Sequence, residues 1–138
     1  MAVRIRIQIR VDDTIVRTIA LLNSGYEAPT PQLLIPISIA EELGLWPPKP
    51  SARIEDYDTA GGPLRVWVYR NIGKVKVLCD DVESKEVLVD IVVSPLADEA
   101  LICDYLAGEL EIAVEDFAKG LWRFRWEPPE KARKTVRQ

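Results

Sequence analysis

The 138 residues contain no histidine. That absence removes Ser–His and Cys–His nucleophilic pairs, histidine acid–base catalysis and the usual histidine-bearing zinc sites. A hydrolase built from this chain has to work with carboxylates, lysine or tyrosine. Cysteine is scarce too. Cys79 and Cys103 are the only two, too few for a disulfide framework and without metal-ligand spacing. Long apolar runs are missing: no stretch reaches membrane-spanning length, and arginines interrupt the first apolar residues, which therefore do not read as a secretory leader. Positive charge is in deficit. Lys and Arg number 18 against 22 Asp and Glu, a net charge of −4, which argues against a whole-domain nucleic-acid binder. Asp12-Asp13 and Asp80-Asp81 read as turn residues, with no third ligand spaced for a metal. The expectation is a cytoplasmic protein with reduced thiols, without membrane, nucleic-acid or metal partners.

What is present fits one globular domain. Apolar residues make up 48% and charged residues 29%, enough for a chain of this length to bury a core without staples. Val3, Ile5, Ile7, Ile9 and Val11 alternate with Arg4, Arg6, Gln8 and Arg10, the pattern of a strand with one wet and one dry face. Asp12-Asp13 turns the chain into a second strand over Thr14–Leu22, apolar enough near its end for burial on both faces. That strand delivers Asn23-Ser24-Gly25 into a loop. Pro29, Pro31 and Pro36 break up the next segment. A short helix follows over residues 38–43, stopped by Gly44. Pro36 suits a first helical turn and Ser38 with Glu41 has capping-box spacing, so two starts are open.

Further on, residues 54–57 and 64–69 read as strands around a Gly61-Gly62 hairpin signal. Residues 74–78 and 87–93 form another pair, and Ala100–Ile102 is a short apolar strand. Asp104 has the character of a cap for a helix reaching about Leu110. Residues 111–117 and 121–126 are closing strands around a Lys119-Gly120 turn. Eight or more short strands with two short helices predict a mostly-β barrel or sandwich-like domain. Strand, polar loop and short helix occur around Asn23 and again around Asp104. Residues 131–137 are basic and follow Pro128-Pro129, which predicts a domain over residues 1–127 and a frayed, disordered tail over 128–138.

The order of these pieces resembles the retropepsin-like aspartic proteases, the single-domain kind. Ala20-Leu21-Leu22-Asn23-Ser24-Gly25 is similar to the family's catalytic strand and loop, two apolar residues before Asp-Thr/Ser-Gly. The stretch from Ile35 to Leu45 resembles the helix that follows in cellular members, and Thr59-Ala60-Gly61-Gly62 stands where those members have a flap hairpin. Ala100-Leu101-Ile102-Cys103-Asp104-Tyr105-Leu106, Glu111-Ile112 and the residues from Gly120 to Phe124 resemble the second apolar loop, the helix and the closing strands. The likeness covers roughly residues 3 to 126. Two positions depart from it: Asn23 stands at the acid position, and Cys103 stands where the family has glycine.

The resemblance implies a closed β-barrel-like acid-protease fold with one or two short helices, a homodimer, a peptide or protein substrate and no cofactor. It implies that Asn23, Ser24 and Gly25 form the catalytic loop. Ser24 would brace the loops across the dimer axis. Glu27 would meet the substrate backbone or brace the loop, and Thr59, Ala60, Gly61 and Gly62 would close over a bound peptide. An aspartic protease activates water between two carboxylates that share one proton. Asparagine offers an acceptor and two donors but takes up no proton near neutral pH. The chain as written is therefore expected to be inactive. An engineered exchange and a naturally inactive family member both account for Asn23. Three readings stay open: a silenced aspartic endopeptidase, a non-catalytic dimeric peptide-binding or scaffolding domain on the same fold, and an unrelated barrel in which Asn-Ser-Gly only turns the chain. Trp122, Phe124 and Trp126 read as core or interface rather than a stacking platform.

Overall fold

The computed structural model describes residues 2–136 of the chain. The alternating N-terminal pattern forms β1 (Arg4–Val11), which pairs antiparallel with β2 (Thr14–Leu22) in continuous register from Arg4↔Leu21 to Val11↔Thr14. Asp12 takes the turn at φ 51°, a conformation that aspartate tolerates through its short polar side chain. The rest are β3 (Gln32–Ile35), α1 (Ile37–Glu42), β4 (Arg53–Thr59), β5 (Gly62–Val77), β6 (Val87–Val93), β7 (Ala100–Ile102), α2 (Asp104–Glu109), β8 (Ile112–Asp116), β9 (Leu121–Phe124) and β10 (Arg133–Lys134).

The sheet order β1-β2-β7-β3-β6-β5 returns on itself because β5 also pairs with β1. Six strands thus close a barrel, and the chain is mostly β as its pattern predicts. Closure hides the strand edges. Ile5, Ile7, Ile9, Leu33, Ile35, Ile91 and Ile102 are all buried in the core cluster. Among the described residues β4 pairs with β5 alone and ends the sheet order. A second, smaller cluster of Leu34, Val66, Val68 and Val92 is covered in part by Tyr26, Tyr57, Leu64 and Leu101.

Three local readings change. Residues 64–69 and 74–78, expected as two strands, are halves of one long β5. A register shift between Tyr69 and Gly73, with Asn71 at φ 48°, bends the strand without ending it, as a bulge does. Gly73 sits at the crossing onto β1, where a Cβ would lie 3.0 Å from the Arg10 carbonyl oxygen. β3 was not foreseen at all. It holds four residues between Pro31 and Pro36, too short for periodicity to show. It is a central strand, parallel to β6 and antiparallel to β7. The helix starts also resolve. Pro36 occupies the N-cap of α1, leaving Ser38 inside it, and Cys103 rather than Asp104 caps α2.

The disordered tail expected from residue 128 is corrected for residues 128–136. A short 3-10 helix at Pro129–Lys131 leads into β10, which pairs with β9. Thr135 N–H then donates to the Gly120 carbonyl at 2.7 Å and Val136 N–H to the Arg4 carbonyl at 2.9 Å. Two of the tail's basic residues are paired: Arg133 meets Glu127 and Asp81, and Lys131 meets the same two carboxylates. Residues 137 and 138 of the expected tail lie outside the described residues. No described helix is long and apolar enough to cross a membrane.

Candidate functional site

β2 and β7 run parallel, with Leu22 opposite Ile102. Their ends deliver residues 23 and 103 side by side, and Asn23 N–H donates to the Ile102 carbonyl at 3.1 Å. The Asn23 side-chain oxygen accepts the Gly25 N–H at 3.1 Å, and the Asn23 carbonyl accepts the Tyr26 N–H at 3.0 Å. This is the asparagine turn that Asn-Ser-Gly favours. A Cβ on Gly25 would stand 3.3 Å from the Asn23 oxygen, so glycine leaves that side chain room. The loop is then fixed to α2: Asp104 N–H donates to the Tyr26 carbonyl at 2.9 Å, and Ala28 N–H donates to the Asp104 carboxylate at 3.0 Å. Asp104, read from sequence as a helix cap, is a loop brace.

Across from this loop stands the β4–β5 hairpin. Thr59 pairs with Gly62, leaving Ala60-Gly61 as the turn. The Thr59 hydroxyl donates to the Gly62 carbonyl at 2.6 Å and accepts the Gly61 N–H at 3.2 Å. Gly62 sits at φ 108°, open to glycine and strained for other residues. Between loop and hairpin lies a cleft of about 740 Å³. Asn23, Gly25 and Glu27 line one side, Thr59 and Ala60 the other, and Leu34, Leu64, Val68 and Leu101 contribute its apolar surface. Five of the eight residues singled out from sequence thus meet at one cleft. Ser24 is exposed on the loop beside it, and Gly61 and Gly62 lie at the hairpin tip outside its lining. Among the described residues, no group of three His, Cys, Asp or Glu side chains gathers for a metal.

No protein-family model matches the chain, and no curated protein is significantly similar to it. The likeness to retropepsins stands on the residues and spacings given above.

Sequence reasoning missed the polar chain behind the cleft. The Gln32 side-chain oxygen accepts two phenols, Tyr26 at 2.7 Å and Tyr57 at 3.1 Å. Its amide nitrogen donates to the Thr30 hydroxyl at 3.2 Å, which donates to Asp90 at 2.8 Å. Asp90 also accepts the Asn71 N–H at 2.7 Å. Gln32 and Asp90 are both buried, and buried polar groups need such partners. One network therefore joins the loop, β3, the hairpin and the bulge of β5. A signal was available: Gln32 opens an otherwise apolar Leu33-Leu34-Ile35 run, and Asp90 interrupts Val87–Val93. Burial raises both phenols above the ordinary tyrosine value, with the nearby Glu55 charge adding to it at Tyr57. Both remain donors across the neutral range. Tyr57→Phe should remove one neutral bond, costing about 1 kcal/mol. Hairpin amides at residues 55–64 should then exchange faster with deuterium, while those of β1 keep their rate.

Cys103 is fully buried. Its sulfur accepts the Leu106 and Gln32 N–H groups, both at 3.3 Å, and donates to the Thr30 carbonyl at 3.6 Å. Where the family has glycine, this chain has a sulfur that ties α2 to β3. Burial pushes its thiol pKa up, so it is a packing and capping group and not a nucleophile.

Proposed function

We propose that the chain is a retropepsin-like homodimeric domain that holds an extended peptide in this cleft and does not hydrolyse it. One observation carries the reading. Six consecutive residues, 55–60, line the cleft, and all but the last belong to β4. Successive strand residues point to opposite faces. A cleft touched by all of them therefore meets the edge of the strand rather than one face. Among the described residues that edge has no strand partner, so its main-chain donors and acceptors are open to a peptide added as a further strand.

Asn23 explains the second half of the proposal. A single chain supplies one residue 23, on an open loop, so a paired centre requires a second copy related by a two-fold axis. That centre would hold two amides. It lacks both the general base and the general acid, each worth roughly 100- to 10,000-fold in rate.

The test is to incubate the chain with a pool of extended peptides, recover what is retained, and sediment the protein at the same concentration. Retained peptides recovered intact, on a dimer, are the expected result. Cleavage would defeat the silent centre, an empty cleft would defeat the peptide reading, and a strict monomer would defeat the pairing.

A further inference from the structure

We infer that the cleft selects extended segments rich in lysine and arginine. The inference rests on the peptide-binding reading above and adds the class of ligand. Four carboxylates line the cleft, Glu27, Glu55, Asp56 and Asp58, against one guanidinium, Arg70. That is a local excess of three negative charges, where the whole chain carries −4. Arg70 does little to offset it, because its guanidinium is 3.9 Å from the buried Asp90. Asp56 has Arg65 at 3.7 Å, both side chains being more than 60% exposed, a pair that water largely screens. Glu27, Glu55 and Asp58 form no salt bridge among the described residues.

The arrangement on β4 matters as much as the count. Glu55 points to one face of the strand, and Asp56 and Asp58 to the other. A strand docked along this edge sends its own side chains alternately to both faces. A basic residue at either parity then finds a carboxylate beside it. The apolar surface of Leu34, Leu64, Val68 and Leu101 suits the aliphatic stems of lysine and arginine, which pack while their heads stay wet. Apolar walls also concentrate the field of the acids within the cleft. An acidic segment would meet like charges, which disfavour it.

The experiment uses the full chain and three fluorescently labelled peptides of equal length and the same alternating Val/Thr framework. Their variable positions carry Lys and Arg, Ser, or Glu, and binding is followed by anisotropy. The basic peptide should bind at least about tenfold more tightly than the serine peptide, with the glutamate peptide weakest. Raising the salt from about 50 to about 300 mM should narrow the gap. The double variant Glu55→Gln, Asp58→Asn should lower the basic peptide's affinity to that of the serine peptide. A thermal melt superimposable on that of the parent chain reports that the variant is folded. Asp12→Asn with Asp13→Asn, at the opposite end of β2 from Asn23, should change nothing. Equal affinity for the basic and serine peptides overturns charge selection and leaves the peptide reading standing. An equal loss from the Asp12, Asp13 variant overturns it as well, by showing bulk attraction. No binding of any peptide defeats the peptide reading itself and this inference with it.

Discussion

Asn23→Asp should convert a chain that leaves peptides intact into one that cuts them, at least about 100-fold above the background of the asparagine form. The loop accommodates a carboxylate at residue 23. The Asn23 side-chain oxygen accepts the Gly25 N–H at 3.1 Å, and a carboxylate oxygen accepts the same bond more strongly. The turn therefore survives the exchange, and the second oxygen replaces an amide nitrogen that cannot act as a base. In the proposed dimer the two carboxylates would share a proton, one serving as base and the other as acid. Cleavage should be best at acidic to near-neutral pH and blocked by pepstatin-like inhibitors. Asn23→Ala, which removes the side-chain acceptor, should cut nothing. The exchange should also make assembly sensitive to pH. Two charged carboxylates about 4 Å apart repel by roughly 4 kcal/mol at an effective dielectric near 20, whereas two amides do not. Sedimentation across pH should show the Asp form dissociating as the pair ionises and the Asn form unchanged. An Asp form that is dimeric and binds peptide, yet cuts nothing, would leave a binding module with no latent protease in it.

The second large effect lies away from the cleft, at the C-terminal clamp. Glu127 is almost fully buried, with its side chain 2% exposed. Its carboxylate accepts the Phe124 N–H at 3.0 Å and two bonds from the Arg133 guanidinium, at 3.0 and 2.6 Å. Arg133 also reaches Asp81 at 2.9 and 3.0 Å. Its guanidinium carbon lies over the Trp122 and Phe124 rings, 5.8 and 5.4 Å from their centroids. Glu127→Ala removes the acceptor of the buried Phe124 N–H and leaves the part-buried Arg133 guanidinium with Asp81 alone. Breaking such a pair costs about 3 kcal/mol, which lowers the melting temperature by roughly 10 °C in a domain of this size. Arg133→Ala should cost a similar amount, and the double variant less than the sum, because both remove the same contact. Asp81→Asn should have a smaller effect, since water screens that carboxylate.

The clamp also sets an acid limit. The Arg133 bond holds the Glu127 carboxyl below its ordinary value of 4.5. A lowered folded-state pKa means that the stabilisation is fully present above the unfolded value. It is lost as the pH falls through the folded one. Wild-type chain should therefore soften below about pH 4.5, and Glu127→Ala should lose that part of the pH dependence. Thermal melts over the acid range decide the point.

Local pattern carried much of the fold. β1 was legible because one face is wet and the other dry, β2 because its end is apolar enough for burial on both faces, and β7 because three apolar residues stand between polar loops. The bends at Gly44, Gly62 and Gly120 were legible because each takes a positive φ. β3 was not legible, since four residues buried on both faces between prolines show no alternation. The tail was misjudged for a related reason. Basic residues after two prolines look solvated until the buried Glu127 and the Asp81 pair are placed opposite them.

By itself, then, the order of residues determined the β-rich class, the alternation that fills the barrel, the Asn-Ser-Gly turn and an amide, which takes up no proton, at residue 23. These follow from side-chain chemistry and nearest-neighbour geometry along the chain. Only the tertiary structure decided that Asn23, residues 25–29 and residues 55–60 share one cleft, that Gln32 ties Tyr26 to Tyr57, and that four acids line that cleft. Each of those depends on strand order and register, set by the closure of six strands onto a common core. Closure joins residues tens of positions apart, and no short stretch of sequence encodes it.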